Sequence, residues 1–212
     1  MPAPCRLFFL RHVQIKPIYT DDKVLSALTL SPDGKYLTFR LVTVATGNRG
    51  IIVPNYVTRS GYVEDIPGRT NVGERPATSD NFVYNVQKDS LYKIQIDQIP
   101  GIRDLPDYVK DYPKQLADRQ KANELRNISL GAVSWNEAGT VGIVSASSVD
   151  NKDAWILKVN GSTGALTLLD RQRDEAWIGG PGNGGNGTWI DNDRFFFKSE
   201  ATGYAHLYLY NV

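Results

Sequence analysis

The thirteen residues from Trp177 to Trp189, WIGGPGNGGNGTW, contain six glycines. They show the spacing G-x-G-x-x-G twice, at Gly180, Gly182 and Gly185 and at Gly182, Gly184 and Gly187. This spacing holds a pyrophosphate when it joins a strand to a helix, because the helix N-terminus then presents unpaired N–H groups to the anion. Here the glycines run into Thr188-Trp189-Ile190 and then a polar turn. No helix follows, so the dinucleotide reading fails and no cofactor is assigned.

Other side chains that could do chemistry are few. A serine nucleophile of the α/β-hydrolase type needs G-x-S-x-G at a strand-to-helix turn. The nearest string, Gly161-Ser162-Thr163-Gly164, has the wrong spacing and sits at a hairpin bend. The only histidines are His12, near the N-terminus, and His206, within the strand-like HLYLY, and they build no triad. One cysteine, Cys5, and two distant histidines give no zinc spacing. Asp191-Asn192-Asp193 has the opening of a calcium loop but lacks its glycine at position six and glutamate at position twelve, so it reads as a turn. Neighbours on a strand point to opposite faces, so the pairs Asp21-Asp22 and Asp174-Glu175 read as solvated loop charge rather than cooperating acids. No catalytic or metal-binding residue is assigned.

Composition narrows the partners. A net charge of +1 gives no field for nucleic acid or an anionic membrane. Hydrophobic residues at 41% and charged residues at 22% suit a globular chain with a core. No apolar run approaches the ~18 residues of a membrane span. The apolar stretch Leu7–Leu10 is shorter than the ~7–15 residues of a signal-peptide core.

These residues are positioned by a repeat. LTLSPDGKYLTFRL, VSWNEAGTVGIVSA and TWIDNDRFFFKS share one pattern, an apolar or aromatic residue, a short polar turn and an apolar strand. The turns are Ser31 to Gly34, Asn136 to Gly139 and Asp191 to Asp193, built from residues that preset φ, bond their own backbone or accept positive φ. A second hairpin follows each of the first two, bending at Lys88-Asp89-Ser90 and at Asn160 to Gly164. Two hairpins make a four-stranded antiparallel sheet, and one such sheet per ~50 residues is the period of a β-propeller blade. The fold expected is therefore all-β, an incomplete propeller of about two and a half blades with a short helical insertion. Residues 1–23 are expected to be an N-terminal extension or the end of a preceding blade, and residues 24–212 the partial propeller. Insertions are expected at about 46–79, a loop, and 100–127, with a mostly polar surface helix after Pro113. A closed propeller needs ~4–8 blades, so the chain reads as a piece of a larger one.

Longer strings carry a resemblance. SPDGKYLTFRL, DNKDAWILKVNGSTG, DRQRDEAWIGGPG and FFFKSEATGYAHLYLYN together resemble the N-terminal propeller of the dipeptidyl peptidase IV family of serine peptidases, in its Bacteroidetes-like form. The combination of Trp177-Ile178-Gly179 with Glu200 to Tyr208 is its most specific part. The resemblance implies an eight-bladed propeller capping a C-terminal α/β-hydrolase domain that holds the Ser-Asp-His triad. It also implies peptide substrates cut to dipeptides, frequent homodimers, and a periplasmic or cell-envelope location. The family's glutamate pair, which holds the substrate amine, has no match in Ile15 to Lys23. The segment Trp177, Ile178, Gly179, Gly180, Pro181 and Gly182 is similar to a family loop lining the outer part of the substrate subsite. Where the family can place Phe and Arg, this chain has glycines and proline.

Two other readings stay open. A non-enzymatic propeller serving as an interaction platform would carry Gly-His and Trp-Asp signatures in each blade, and none is present. A glycosidase propeller needs two carboxylates facing across a cavity, which the sequence does not place.

Overall fold

The computed structural model describes residues 17–47, 49–70, 74, 76–179 and 187–212. The strands are antiparallel throughout. The first sheet contains β1 (Val24–Leu30), β2 (Tyr36–Thr43), β5 (Thr78–Asn85) and β6 (Ser90–Lys93), in the order β1-β2-β5-β6. Between β2 and β5 the chain leaves the sheet as a two-stranded ribbon of β3 (Gly50–Asn55) and β4 (Glu64–Thr70). The second sheet contains β7 (Ile128–Leu130), β8 (Ser134–Trp135), β9 (Gly142–Ser148), β10 (Asp153–Val159) and β11 (Leu166–Arg173). Both β7 and β8 pair with β9, and Gly131 donates its N–H to the Ser145 carbonyl between them. They thus act as one interrupted edge strand, and the sheet is effectively four strands wide. The third sheet contains β12 (Thr188–Trp189), β13 (Arg194–Ser199) and β14 (His206–Asn211).

The result is an all-β chain with one short helix, two four-stranded sheets and a third of three strands. The sheets stack face to face, and alternation along the middle one explains how. Trp155, Leu157 and Val159 of β10, with Val144 and Ala146 of β9, pack into the cluster that holds Val83 of the first sheet. The intervening Ile156 and Ile143 point the other way, onto Phe195 and Phe197 of the third sheet. A strand places successive side chains on opposite faces, so one strand serves both interfaces. Each large apolar side chain buried there contributes about 1.5–3 kcal/mol.

The equivalent turns of the three repeats also touch. The Asn136 side-chain amide donates to the Asn192 carbonyl at 2.9 Å, and the Ala138 N–H donates to Asn192 Oδ1 at 2.7 Å. Tyr36 stacks on Trp135 with ring centroids 5.3 Å apart, joining the first two sheets.

Two expectations change. The stretch read as a loop holds the β3–β4 ribbon, paired from Asn55 with Glu64 to Gly50 with Thr70. Its apolar side chains Ile51, Ile52, Val53 and Ile66 are exposed, so it shows no half-buried alternation to betray a strand. The second excursion includes the expected helix, α1 (Pro113–Ala122), started by Pro113 and ended by Asn123 at φ 47°. The helix buries none of its residues. The chain leading to it is not peripheral, because Ile99, Ile102 and Val109 are buried.

The first turn makes a prediction about pH. Burial would raise the Asp33 pKa, but hydrogen bonds from Ser31 and Lys35 and the Lys35 charge outweigh it and hold the carboxyl at about 2. A depressed carboxyl stabilises the fold above its unfolded value and loses that contribution as pH falls through the folded one. Asp33→Asn is therefore expected to lower stability by about 1 kcal/mol at neutral pH and by almost nothing near pH 2. Thermal melts from pH 6 to 2 check this, and a difference that does not shrink with acid would refute it.

Candidate functional site

Three of the residues singled out in the sequence, Trp177, Ile178 and Gly179, lie where β11 ends, against a groove between the second and third sheets. Gly180, Pro181 and Gly182 lie outside the described residues, as do His12, Cys5 and most of the double glycine spacing. The groove encloses about 540 Å³. Its apolar lining includes Trp155, Ile156, Phe196 and Leu207, and its polar lining Ser129, Ser145, Ser147, Asn151 and Gln172. Trp155 is sealed at 1% exposed, whereas Trp177 is 67% exposed and free to meet a ligand.

The wall is held by polar bonds more than by packing. Asp174 Oδ1 accepts the N–H groups of Ala176 at 2.7 Å and Trp177 at 3.1 Å, which keeps its carboxyl below the usual range. Ile178 donates its N–H to the Asn151 carbonyl at 2.8 Å. The N–H of Asp107 on Glu175 is the main reason the Glu175 carboxyl is depressed, and Arg173 adds to it. Asp174 and Glu175, read from the sequence as solvated charges, are thus the fastenings of this loop.

Behind the wall lies a buried carboxylate that the sequence reading missed. Asp153 opens β10 and its side chain is 0% exposed. Arg173 stands directly opposite Asp153 and Arg171 opposite Trp155 in the β10–β11 ladder, so both face the same side. Arg171 Nε donates to Asp153 Oδ1 at 2.9 Å, and an Arg173 N–H donates to Asp153 Oδ2 at 2.9 Å. Arg126, from the excursion, also donates to Asp153 Oδ2. Each arginine takes a second carboxylate: Asp104 for Arg171, Asp150 for Arg126 and Glu175 for Arg173. Burial would lower the Arg126 pKa, but Asp153 and Asp150 outweigh it and raise it instead. The legible signal was Arg171-x-Arg173 on a strand whose hairpin partner begins with Asp153. The guanidinium of Arg171 also explains Gly101, whose backbone has φ +78° and where a Cβ would lie 2.1 Å from Arg171 Cζ.

The groove offers hydroxyls, amides, the Lys198 side chain and an exposed indole. Among the described residues, the one carboxylate in its lining is Asp153, which is paired with three arginines. His206 sits opposite Ser199 in the β13–β14 ladder and is exposed. Asp191, Asn192 and Asp193 form the β12–β13 turn, where Asp191 accepts the N–H groups of Asp193 and Arg194. Among the described residues, no three His, Cys, Asp or Glu side chains converge as metal ligands. No helix of the described residues is long and apolar enough to cross a membrane.

No protein-family profile matches this chain, and no curated protein does. Solved structures do. A Bacteroides ovatus protein assigned as a dipeptidyl aminopeptidase IV matches over 87% of this chain with a TM-score of 0.53 and 15% identity. Porphyromonas gingivalis dipeptidyl peptidase 4 matches over 87% with a TM-score of 0.53 and 16% identity. At such identities the likeness establishes a shared fold. In both cases the match spans 22% of the neighbour's length.

The wall yields a prediction. A Cβ added to Gly179 would lie 1.8 Å from the indole nitrogen of Trp177, so the ring rests on a glycine by necessity. Gly179→Ala is expected to swing the indole away, changing acrylamide quenching of the Trp177 emission, with stability within about 0.5 kcal/mol. Trp177→Phe identifies that emission. Unchanged quenching would show that the indole does not rest there.

Proposed function

We propose that this chain is part of the propeller of a dipeptidyl-peptidase IV-like serine peptidase, and that the groove edged by Trp177, Ile178 and Gly179 is a stretch of the wall and gate of its peptide cavity. The observation that carries this reading is the position of that segment. The loop picked out by resemblance borders a groove lined by hydroxyl and amide groups, Lys198 and an exposed indole, in a fold shared with bacterial dipeptidyl peptidase IV structures. An extended peptide presents N–H and C=O groups to hydroxyl and amide side chains, while its apolar side chains cover aromatic rings. On this reading the wall continues through Gly180, Pro181 and Gly182, where small residues leave it wide.

The chain contributes binding and no bond cleavage. The nucleophile and its base come from a C-terminal α/β-hydrolase domain, which together with the rest of the propeller is the partner of this chain. The assembled enzyme removes dipeptides from peptide N-termini, works as a homodimer, and resides in the periplasm or cell envelope. Positioning a peptide along a wall lowers the cost of bringing its scissile bond to a distant nucleophile.

The test uses the complete reading frame that contains this segment, assayed on an Xaa-Pro-p-nitroanilide and on longer Xaa-Pro peptides. Trp177→Ala is expected to raise KM for the longer peptides about fivefold, near 1 kcal/mol, with kcat within about twofold, as for uniform binding lost from a wall. An unchanged KM for every peptide length would remove the wall role. A reading frame with no G-x-S-x-G domain, whose product binds a ligand without turnover, would instead establish an interaction platform.

A further inference from the structure

The excursion of residues 100–127 meets the chain just ahead of the groove wall at Glu175. Glu175 Oε2 accepts the backbone N–H of Asp107 at 2.8 Å. Its other oxygen accepts from Arg173, whose guanidinium also reaches Asp153 at 2.9 Å and the Leu105 carbonyl at 3.3 Å. The backbone carbonyl of Glu175 accepts from the Lys152 ammonium. Asp107 opens a 3-10 turn, Asp107–Asp111, whose Val109 is 0% exposed. The turn is therefore nailed into the body, while Trp177, two residues beyond Glu175, is mostly exposed and gains little from packing. A rigid donor and a carboxylate beside a loosely packed aromatic are the parts of a positioning device.

We infer that Glu175 is a positioning residue that ties the 3-10 turn to the groove wall, so that the excursion sets where the Trp177 indole stands. The device does not require ligand. Its consequence for substrate choice rests on the peptide-wall reading above. On that reading the excursion, although none of its residues lines the groove, is a specificity element, because moving the turn moves the wall.

The link can be cut from either end. Glu175→Ala removes the acceptor. Asp107→Pro removes the donor, since proline has no N–H and is tolerated at the first helical position. The full chain, labelled with 5-fluorotryptophan, is read by fluorine NMR, with Trp177→Phe assigning the resonance. Each variant is expected to shift or broaden the Trp177 signal while those of Trp135, Trp155 and Trp189 stay in place. The double variant is expected to look like either single one, because both break the same bond. If neither variant moves the Trp177 signal, if only Glu175→Ala does, or if the two effects add, the inference is overturned. Should Asp107→Pro fold poorly, seen as a displaced Trp155 signal, the exchange rate of the Asp107 amide in Glu175→Ala decides. At least tenfold acceleration is expected, and an unchanged rate refutes the link. The readout is independent of activity, so a failed peptidase assay leaves it intact. Where turnover is measurable, both variants are expected to raise KM by the same factor.

Discussion

A single buried carboxylate organises the part of the molecule that bears the groove. Asp153 is sealed from solvent and meets three guanidiniums, two from the neighbouring strand and one from the far end of the excursion. A buried ion that loses its partners costs several kcal/mol, so a lone aspartate here would not survive folding. The arginines bring their own requirements. Arg171 lies against Gly101 and over the Trp155 ring at 5.9 Å, and Trp155 donates its indole N–H to the Pro100 carbonyl at 2.9 Å. Arg173 reaches Glu175, and Glu175 reaches Asp107. Entrance and exit of the excursion, the end of the β10–β11 hairpin and the groove wall are thus fixed by one set of charges.

That set sits at the end of a middle sheet that is packed on both faces. Its two faces are filled by different neighbours, and the division falls residue by residue along β10. Where the apolar alternation reaches the end of the strand, Asp153 takes the position that continues the Trp155 face. The same face therefore passes from core to ion cluster within two residues. A groove edged by that strand has a packed floor, while its rim is held mainly by hydrogen bonds and the Arg173–Glu175 ion pair.

Much of the fold was legible because its signals are local. Ser31-Pro32-Asp33-Gly34, Asn136 to Gly139 and Asp191 to Asp193 each carry turn chemistry within four residues, and the strands that follow show alternation or aromatic enrichment. The helix start was written in Pro113. The β3–β4 ribbon was not legible, because Pro54 and Pro67 lie within its strands and its apolar side chains Ile51, Ile52, Val53 and Ile66 are exposed on both faces. The candidate wall was visible only through longer strings that resemble a family. Its fastenings were invisible, since nothing in the sequence joins Glu175 to Asp107 or Arg126 to Asp153 across 68 and 27 positions. Such bonds exist only after the sheet has formed, and only Arg171-x-Arg173 opposite Asp153 left a trace of them.

Hydrogen exchange of Asp153→Asn tests the central claim most directly, because asparagine keeps the shape of the side chain and removes its charge. If Asp153 ties the excursion to the wall, residues 99–112 and 171–178 lose protection together, while β2, β5 and β13 keep theirs. Loss confined to one of the two segments, or no loss in either, would contradict the account.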